Sequence, residues 1–70
     1  MTTKLVTTVN GDAWVLTSET TVSELVAELG VGPRGIAVSV NEELVPRSTW
    51  SSTALCDGDR VEVLHAAQGG

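Results

Sequence analysis

The residues with the clearest chemical potential stand in the last five positions, Ala66-Ala67-Gln68-Gly69-Gly70. Glycine has no Cβ, so an extended Gly69-Gly70 can enter a narrow channel that excludes a bulkier tail. Four residues from Ala67 onward reach roughly 13–14 Å, enough to bring the carboxylate of Gly70 into the active site of another protein. A carboxylate is a poor electrophile at neutral pH, so a nucleotide-using partner must activate it. The tail therefore predicts a carrier or a protein modifier whose chemistry lies in its partners.

Other residue types that serve in catalysis are few. His65 is the single histidine and Cys56 the single cysteine, and they offer no nucleophile with a base and an orienting group. We interpret His65 as a surface residue and Cys56 as a small, partly buried apolar residue. The carboxylate pairs Glu42-Glu43 and Asp57/Asp59 fall in predicted turns, where acidic residues are ordinarily solvated. One imidazole without nearby partners makes a weak metal site, so we expect neither an enzyme nor a metal protein.

Length, charge and cysteine count restrict the partners and the location. The chain has 70 residues and a net charge of −5, and a length near this value predicts one small domain. The four basic residues are scattered singly, which argues against nucleic acid as a partner. The sequence has neither a signal-peptide pattern nor an apolar run long enough for a membrane span. A lone cysteine cannot close an intramolecular disulfide, so we expect a cytoplasmic protein. We also expect the protein to be monomeric on its own.

The first half of the chain predicts a β-hairpin followed by a helix. The runs 5–9 and 12–17 are strand-like, and Asn10-Gly11 between them is a strong signal for a type I′ turn. Thr21 and Glu24 form a capping box at the start of a helix with an apolar stripe, and Gly30 ends it. The glycines at 30, 32 and 35 follow this helix rather than open one, so they offer no phosphate site.

The second half predicts short strands and one irregular crossing. Residues 36–41 alternate as a strand with one buried face, Glu42-Glu43 make a polar turn, and Leu44-Val45 form a brief strand that Pro46 ends or confines to a sheet edge. A helical turn is expected around residues 48–51, with Trp50 and Leu55 anchored in the core, and residues 60–65 form the last strand.

The order of these elements predicts a two-layer α+β fold. The β-grasp, or ubiquitin-like, architecture matches it: a mixed sheet of four to five strands packed on one main helix. We expect the domain to span residues 1–66 and a flexible Gly-Gly tail to span residues 67–70.

The sequence closely resembles the ThiS family of sulfur carriers in thiamine biosynthesis. The resemblance lies in Val38-x-Val40-Asn41-Glu42-Glu43-Leu44-Val45-Pro46-Arg47-x-x-Trp50, in Asp57-Gly58-Asp59 and in Gly69-Gly70. It implies that an E1-like adenylyltransferase, of the ThiF or MoeB type, uses ATP to adenylate Gly70, while the carrier itself binds no cofactor. A sulfur donor protein then forms a thiocarboxylate, and thiazole synthase (ThiG) accepts the sulfur. The remaining motif residues are expected to serve mainly the fold.

The last strand also suggests a partner surface. Val61, Val63 and His65 share one face, whereas Glu62, Leu64 and Ala66 share the other. An apolar Leu64 on the open face, near Gln68 of the tail, suggests a docking site for the adenylating enzyme. The alternative is that the segment around Trp50 covers Leu64.

Three functional classes remain open from the sequence. The first is a sulfur carrier for thiamine, and the second is a related carrier for molybdopterin or cysteine synthesis. The third is a ubiquitin-like modifier or a plain β-grasp interaction domain. The small or polar residues Ala66, Ala67 and Gln68 depart from the larger apolar residues that the ThiS family often has before the tail.

Overall fold

The computed structural model describes residues 3–30 and 34–65. The predictions for residues 66–70, including the tail boundary and the site residues Ala66, Gln68, Gly69 and Gly70, lie outside these ranges, as does that for Gly32. The five strands are β1 (Lys4–Val9), β2 (Asp12–Thr17), β3 (Ile36–Val40), β4 (Glu43–Val45) and β5 (Arg60–His65). The helices are α1 (Val22–Leu29) and a 3-10 helix (Arg47–Ser52).

The strands form one mixed sheet in the order β2-β1-β5-β3-β4. The central strand β5 runs parallel to β1 and antiparallel to β3, and the two outer pairs, β1 with β2 and β3 with β4, are antiparallel hairpins. The predicted α+β fold, a mixed sheet of four to five strands with one main helix, is confirmed, and the sheet has five strands. No helix in the described ranges has the length and hydropathy needed to cross a membrane.

The hairpin turn and the helix capping box form as the sequence predicts. Asn10 and Gly11 take φ values of 51° and 89°, as a type I′ turn requires. At the start of α1, the Glu24 N–H donates to Thr21 Oγ1 over 3.2 Å, and the Thr21 N–H donates to Glu24 Oε1 over 2.9 Å. This capping box satisfies two backbone donors, and Gly30 ends the helix at φ 74°.

The core lies between α1 and one face of the sheet. Alternate residues of β1 and β5 point into it, and α1 contributes its predicted apolar stripe. Trp50 and Leu55 are buried in the same cluster, as predicted. The buried hydrophobic residues are Leu5, Val9, Val22, Leu25, Val26, Val38, Trp50, Leu55, Val61 and Val63.

Two sequence interpretations are corrected. Cys56 is exposed rather than partly buried, because it lies at the start of the turn that leads into β5 and its N–H donates to Asp59 Oδ2 over 2.7 Å. The turn between β3 and β4 consists of Asn41 and Glu42, at φ 53° and 70°, whereas Glu43 is already part of β4.

Candidate functional site

β5 ends at His65, and the predicted carrier residues Gly69 and Gly70 follow this strand in the sequence. Val61 and Val63 are buried against the core, while Glu62, Leu64 and His65 are exposed. Because β5 has a neighbouring strand on each side, it is held more firmly than an edge strand.

The start of β5 is fastened by the turn between β3 and β4. Asn41 Nδ2 donates to Asp59 Oδ1 over 2.9 Å, and the Arg60 N–H donates to Asn41 Oδ1 over 2.9 Å. The Asn41 N–H also donates to the Arg60 carbonyl over 2.7 Å. Three hydrogen bonds that involve Asn41 therefore fix the start of β5.

The turn 57–59 is fastened to β1 on the other side. The Val6 N–H donates to Asp57 Oδ1 over 2.8 Å, and the Gly58 N–H donates to the Val6 carbonyl over 2.9 Å. Asp57 and Asp59 are thus structural acceptors of backbone and amide hydrogens, which corrects their interpretation as ordinary solvated turn residues. The hydrogen bonds between this turn and Val6 therefore continue the pairing of β1 with the β5 chain ahead of the start of β5.

The far end of β5 is held by Asn10, a contact that sequence reasoning missed. Because β1 ends at Val9, no β1 residue remains beside Val63. Asn10 Nδ2 donates to the Val63 carbonyl over 3.1 Å, and the Val63 N–H donates to Asn10 Oδ1 over 2.8 Å. The amide group takes the place of a strand residue. The sequence contains this asparagine in Asn10-Gly11, but that pattern alone predicts only a turn.

The Pro46-Arg47-x-x-Trp50 run serves the fold. The Trp50 indole N–H donates to the Val45 carbonyl over 2.9 Å while its ring is buried in the core. The Thr49 N–H donates to the Pro46 carbonyl over 2.9 Å and opens the 3-10 helix. The expected structural role of these residues is confirmed for Pro46 and Trp50, whereas Arg47 is exposed.

An apolar patch lies on the open face of the sheet, near the end of β5. Leu64 is 61% exposed, so the alternative that the Trp50 segment covers it is wrong. Leu64 lies opposite Ala37, and Ser39 lies between Glu62 on β5 and Leu44 on β4. Leu44 is 67% exposed and was missed by sequence reasoning. We call these five residues the β5 patch: Ala37, Ser39, Leu44, Glu62 and Leu64.

Glu62 is the charged residue within this patch. Glu62 accepts a hydrogen bond from Ser39 Oγ over 3.4 Å, and Arg60 pairs with Glu42 over 3.4 Å at the surface. Among the described residues, no three His, Cys, Asp or Glu side chains come together to hold a metal ion. The described arrangement therefore supports contact with a partner and displays no catalytic constellation of its own.

Comparison with known proteins gives consistent matches. The model of the ThiS family matches residues 3–70. The sulfur carrier protein ThiS of Escherichia coli is 31% identical over 61 residues, which is 87% of this chain and 92% of that protein. The crystal structure of the thiamine biosynthesis protein ThiS from Geobacter metallireducens is 32% identical, with a TM-score of 0.80 over 94% of this chain and 100% of that chain.

Two longer relatives match as well. The thiazole synthases of Paramagnetospirillum magneticum and Magnetococcus marinus are 39% and 34% identical over 62 and 61 residues. The chain spans only 19% of the length of each of these proteins.

Proposed function

This chain belongs to the ThiS family, a family of sulfur carriers in thiamine biosynthesis, and we propose that it carries sulfur on the carboxylate of Gly70. The observation that carries the proposal is the match to the family model, which spans residues 3–70 and so includes Gly69 and Gly70. The protein is a substrate of its partner enzymes rather than a catalyst.

The proposed chemistry has two steps, the first at the α-phosphorus of ATP and the second at the acyl carbon of Gly70. The Gly70 carboxylate attacks the α-phosphorus of ATP, and pyrophosphate leaves to give an acyl-adenylate. A hydrosulfide ion released by a sulfur donor protein then attacks the acyl carbon and displaces AMP, which leaves a thiocarboxylate. The free carboxylate is a poor electrophile because oxide would have to leave. Adenylation makes the acyl carbon reactive, because AMP is a far better leaving group.

The β5 patch is the proposed docking surface for the adenylating enzyme. Leu64 exposes apolar area one residue before the end of β5, Leu44 exposes further apolar area two strands away on β4, and exposed apolar patches are typical of contact sites. Docking here would hold the body of the carrier while the residues after His65 reach the active site. The proposed contribution of Ala66 and Gln68 follows from their place in that segment.

Thiazole synthase is the proposed acceptor of the sulfur. Two proteins named thiazole synthase contain a segment similar to this chain, which supports a functional association between the carrier and that enzyme. We place this association in the cytoplasm. The single cysteine, which has no second cysteine in the sequence with which to form a disulfide, supports a reducing compartment.

Mass spectrometry tests the carrier role. The protein is incubated with an E1-like adenylyltransferase, ATP and sulfide, and the intact mass is measured. We expect an increase equal to the difference between one sulfur and one oxygen atom, located on Gly70 by fragmentation. The Gly70 deletion variant and a reaction without ATP serve as controls. An unchanged mass in the complete reaction would contradict the proposal.

The docking surface is tested by Leu64→Asp. We expect the adenylation rate to fall by at least about tenfold, since a charge replaces an apolar contact beside the tail. Val15→Asp is the matched control, because Val15 is a 64% exposed aliphatic residue on β2, two strands away. Equal rates for both variants, with circular dichroism showing that both are folded, would exclude the β5 patch as the docking site.

A further inference from the structure

The end of β5 nearest the predicted carrier residues is held differently on its two sides. On one side, β3 pairs with β5 along the main chain as far as Ile36 and His65. On the other side, the register of β1 with β5 stops at Val9 and Val61. The last residues of β5 therefore have a strand partner on the β3 side only.

Asn10 occupies the β1 side of β5 directly after β1 ends. Its main-chain N–H donates to the Val61 carbonyl over 2.9 Å. Its side-chain amide donates to the Val63 carbonyl over 3.1 Å and accepts from the Val63 N–H over 2.8 Å. Because the main chain turns into the hairpin at Asn10, with a φ of 51°, the side chain continues along β5 in its place. The amide thus reproduces the paired hydrogen bonds of a strand residue.

This amide restrains a motion that the core does not. The side chain of Val63 is buried, which holds the strand against the core. Burial of apolar area is non-directional, so it opposes lifting of the strand from the core but not a swing within the plane of the sheet. Hydrogen bonds on both sides of β5 oppose that swing. Without the amide, the end of β5 and its β3 partner become a two-stranded ribbon, which takes a larger twist and is less stable.

We infer that Asn10 is a positioning residue for adenylation of Gly70, because its amide sets the direction in which the chain leaves β5. The inference rests on the proposed carrier function, in which the Gly70 carboxylate attacks the α-phosphorus of ATP and pyrophosphate leaves.

The length of chain beyond Val63 shows why direction matters. Seven residues follow Val63, and they span roughly 24 Å when they are extended in the channel of a partner. A swing of about 10° at Val63 then moves the far end by about 4 Å. Reacting atoms must approach to roughly 3–3.5 Å, so a displacement of this size takes the carboxylate away from the α-phosphorus.

Single-turnover kinetics separate positioning from docking and from stability. Pyrophosphate formation by an E1-like adenylyltransferase is measured over a series of carrier concentrations. For Asn10→Gly we expect the limiting rate to fall by at least about tenfold. The half-saturating concentration should change by less than about twofold, because the β5 patch still docks the body. A merely destabilised carrier behaves in the opposite way, since its unfolded fraction raises the half-saturating concentration and leaves the limiting rate unchanged.

Asn41→Gly is the matched control. Asn41 also begins a two-residue turn, at a φ of 53°, and its Oδ1 accepts from the N–H of Arg60, five residues before His65. We expect this variant to keep the wild-type limiting rate. Equal losses of limiting rate in Asn41→Gly and Asn10→Gly would assign the effect to stability and overturn the inference.

Asn10→Asp provides a second variant, which decides the question if Asn10→Gly does not fold. The carboxylate keeps the shape of the side chain but cannot donate to the Val63 carbonyl, so the limiting rate should again fall. Circular dichroism establishes that each variant is folded under the assay conditions. An unchanged limiting rate in either folded variant would mean that the tail corrects its own direction, and would overturn the inference.

Backbone relaxation measured by NMR tests the restraint without a partner enzyme. In Asn10→Gly the order parameters of the Leu64 and His65 N–H groups should fall from about 0.85, typical of rigid backbone, toward about 0.6. Unchanged order parameters would mean that β3 alone fixes the end of β5, and would contradict the inference. Failure of the carrier function is distinguishable, because the wild-type protein would then form no pyrophosphate with the enzyme and ATP.

Discussion

The two hairpin turns of the sheet, Asn10-Gly11 and Asn41-Glu42, both begin with asparagine and differ in their second residue. Both asparagines adopt a left-handed conformation, at φ 51° and 53°, and the amide of each bonds to the backbone of β5. In the first turn the second position is glycine at φ 89°, while in the second it is Glu42 at φ 70°. The asparagine therefore has two roles, as a turn former and as a clasp, by which we mean the amide hydrogen bonds that hold the β5 chain. The second position contributes its backbone conformation and, in Glu42, an exposed ion pair with Arg60.

The two clasps also differ in their surroundings. The Asn10 bonds to Val63 are partly buried and hold the end of β5 nearest the tail, where β1 no longer provides a partner. The Asn41 bonds to Asp59 and Arg60 are exposed, and water can replace them. We therefore expect Asn10 to contribute more to stability and to the position of the tail.

The largest effect is expected for Asn10→Gly, which keeps the turn conformation, removes the side-chain amide and adds freedom to the unfolded chain. Two partly buried hydrogen bonds are lost, and the Val63 N–H and C=O lose their partner. The free energy of unfolding should therefore fall by about 2–3 kcal/mol. Urea denaturation measures this, and the Val63 amide should exchange its hydrogen much faster. A loss below about 0.5 kcal/mol would mean that water substitutes for the clasp.

A smaller effect is expected for Asn41→Gly. One bond to the Arg60 N–H and one to the Asp59 carboxylate are lost, but from an exposed site, so the free energy of unfolding should fall by about 1–1.5 kcal/mol. Faster amide exchange should be confined to Arg60 at the start of β5. If this variant is less stable than Asn10→Gly, burial does not decide the strength of the two clasps.

Gly11→Ala tests the second position of the first turn. No atom lies within 4 Å of the Cβ that alanine would add, so the change carries a conformational cost without a clash. The left-handed backbone should lower the free energy of unfolding by about 1 kcal/mol. Thermal and urea denaturation give this value directly. A neutral result would indicate that the hairpin relaxes to another turn type.

The same comparison explains what the sequence could and could not predict. Asn10-Gly11 and the Thr21/Glu24 capping box are signals between residues close in the chain, and both predicted their structures. The Asn10 clasp depends on Val63, which is 53 residues away and reaches Asn10 through the parallel β1–β5 pairing. No local pattern contains that information.

The β5 patch was predicted only in part for a related reason. Leu64 follows from alternation along one strand, but Leu44 joins it through the register of the β3–β4 hairpin. Placing the turn at Glu42-Glu43 instead of Asn41-Glu42 shifts that register and moves Leu44 away from Ser39. The resemblance of Asn41 to Asn10, as the first residue of a two-residue turn, was the signal that could have corrected it.

The smallest effect is expected for Glu42→Gly, which makes the second turn like the first. Relief of the left-handed strain favours glycine, but the greater freedom of glycine in the unfolded chain opposes it. The change also removes the Glu42–Arg60 pair, whose side chains are 77% and 60% exposed and which therefore contributes little. We expect the free energy of unfolding to rise by about 0.5 kcal/mol. Glu42→Gln, which removes the charge and keeps the strain, separates the two contributions. If Glu42→Gly destabilises the protein and Glu42→Gln does so equally, the ion pair rather than the backbone conformation determines the residue at this position.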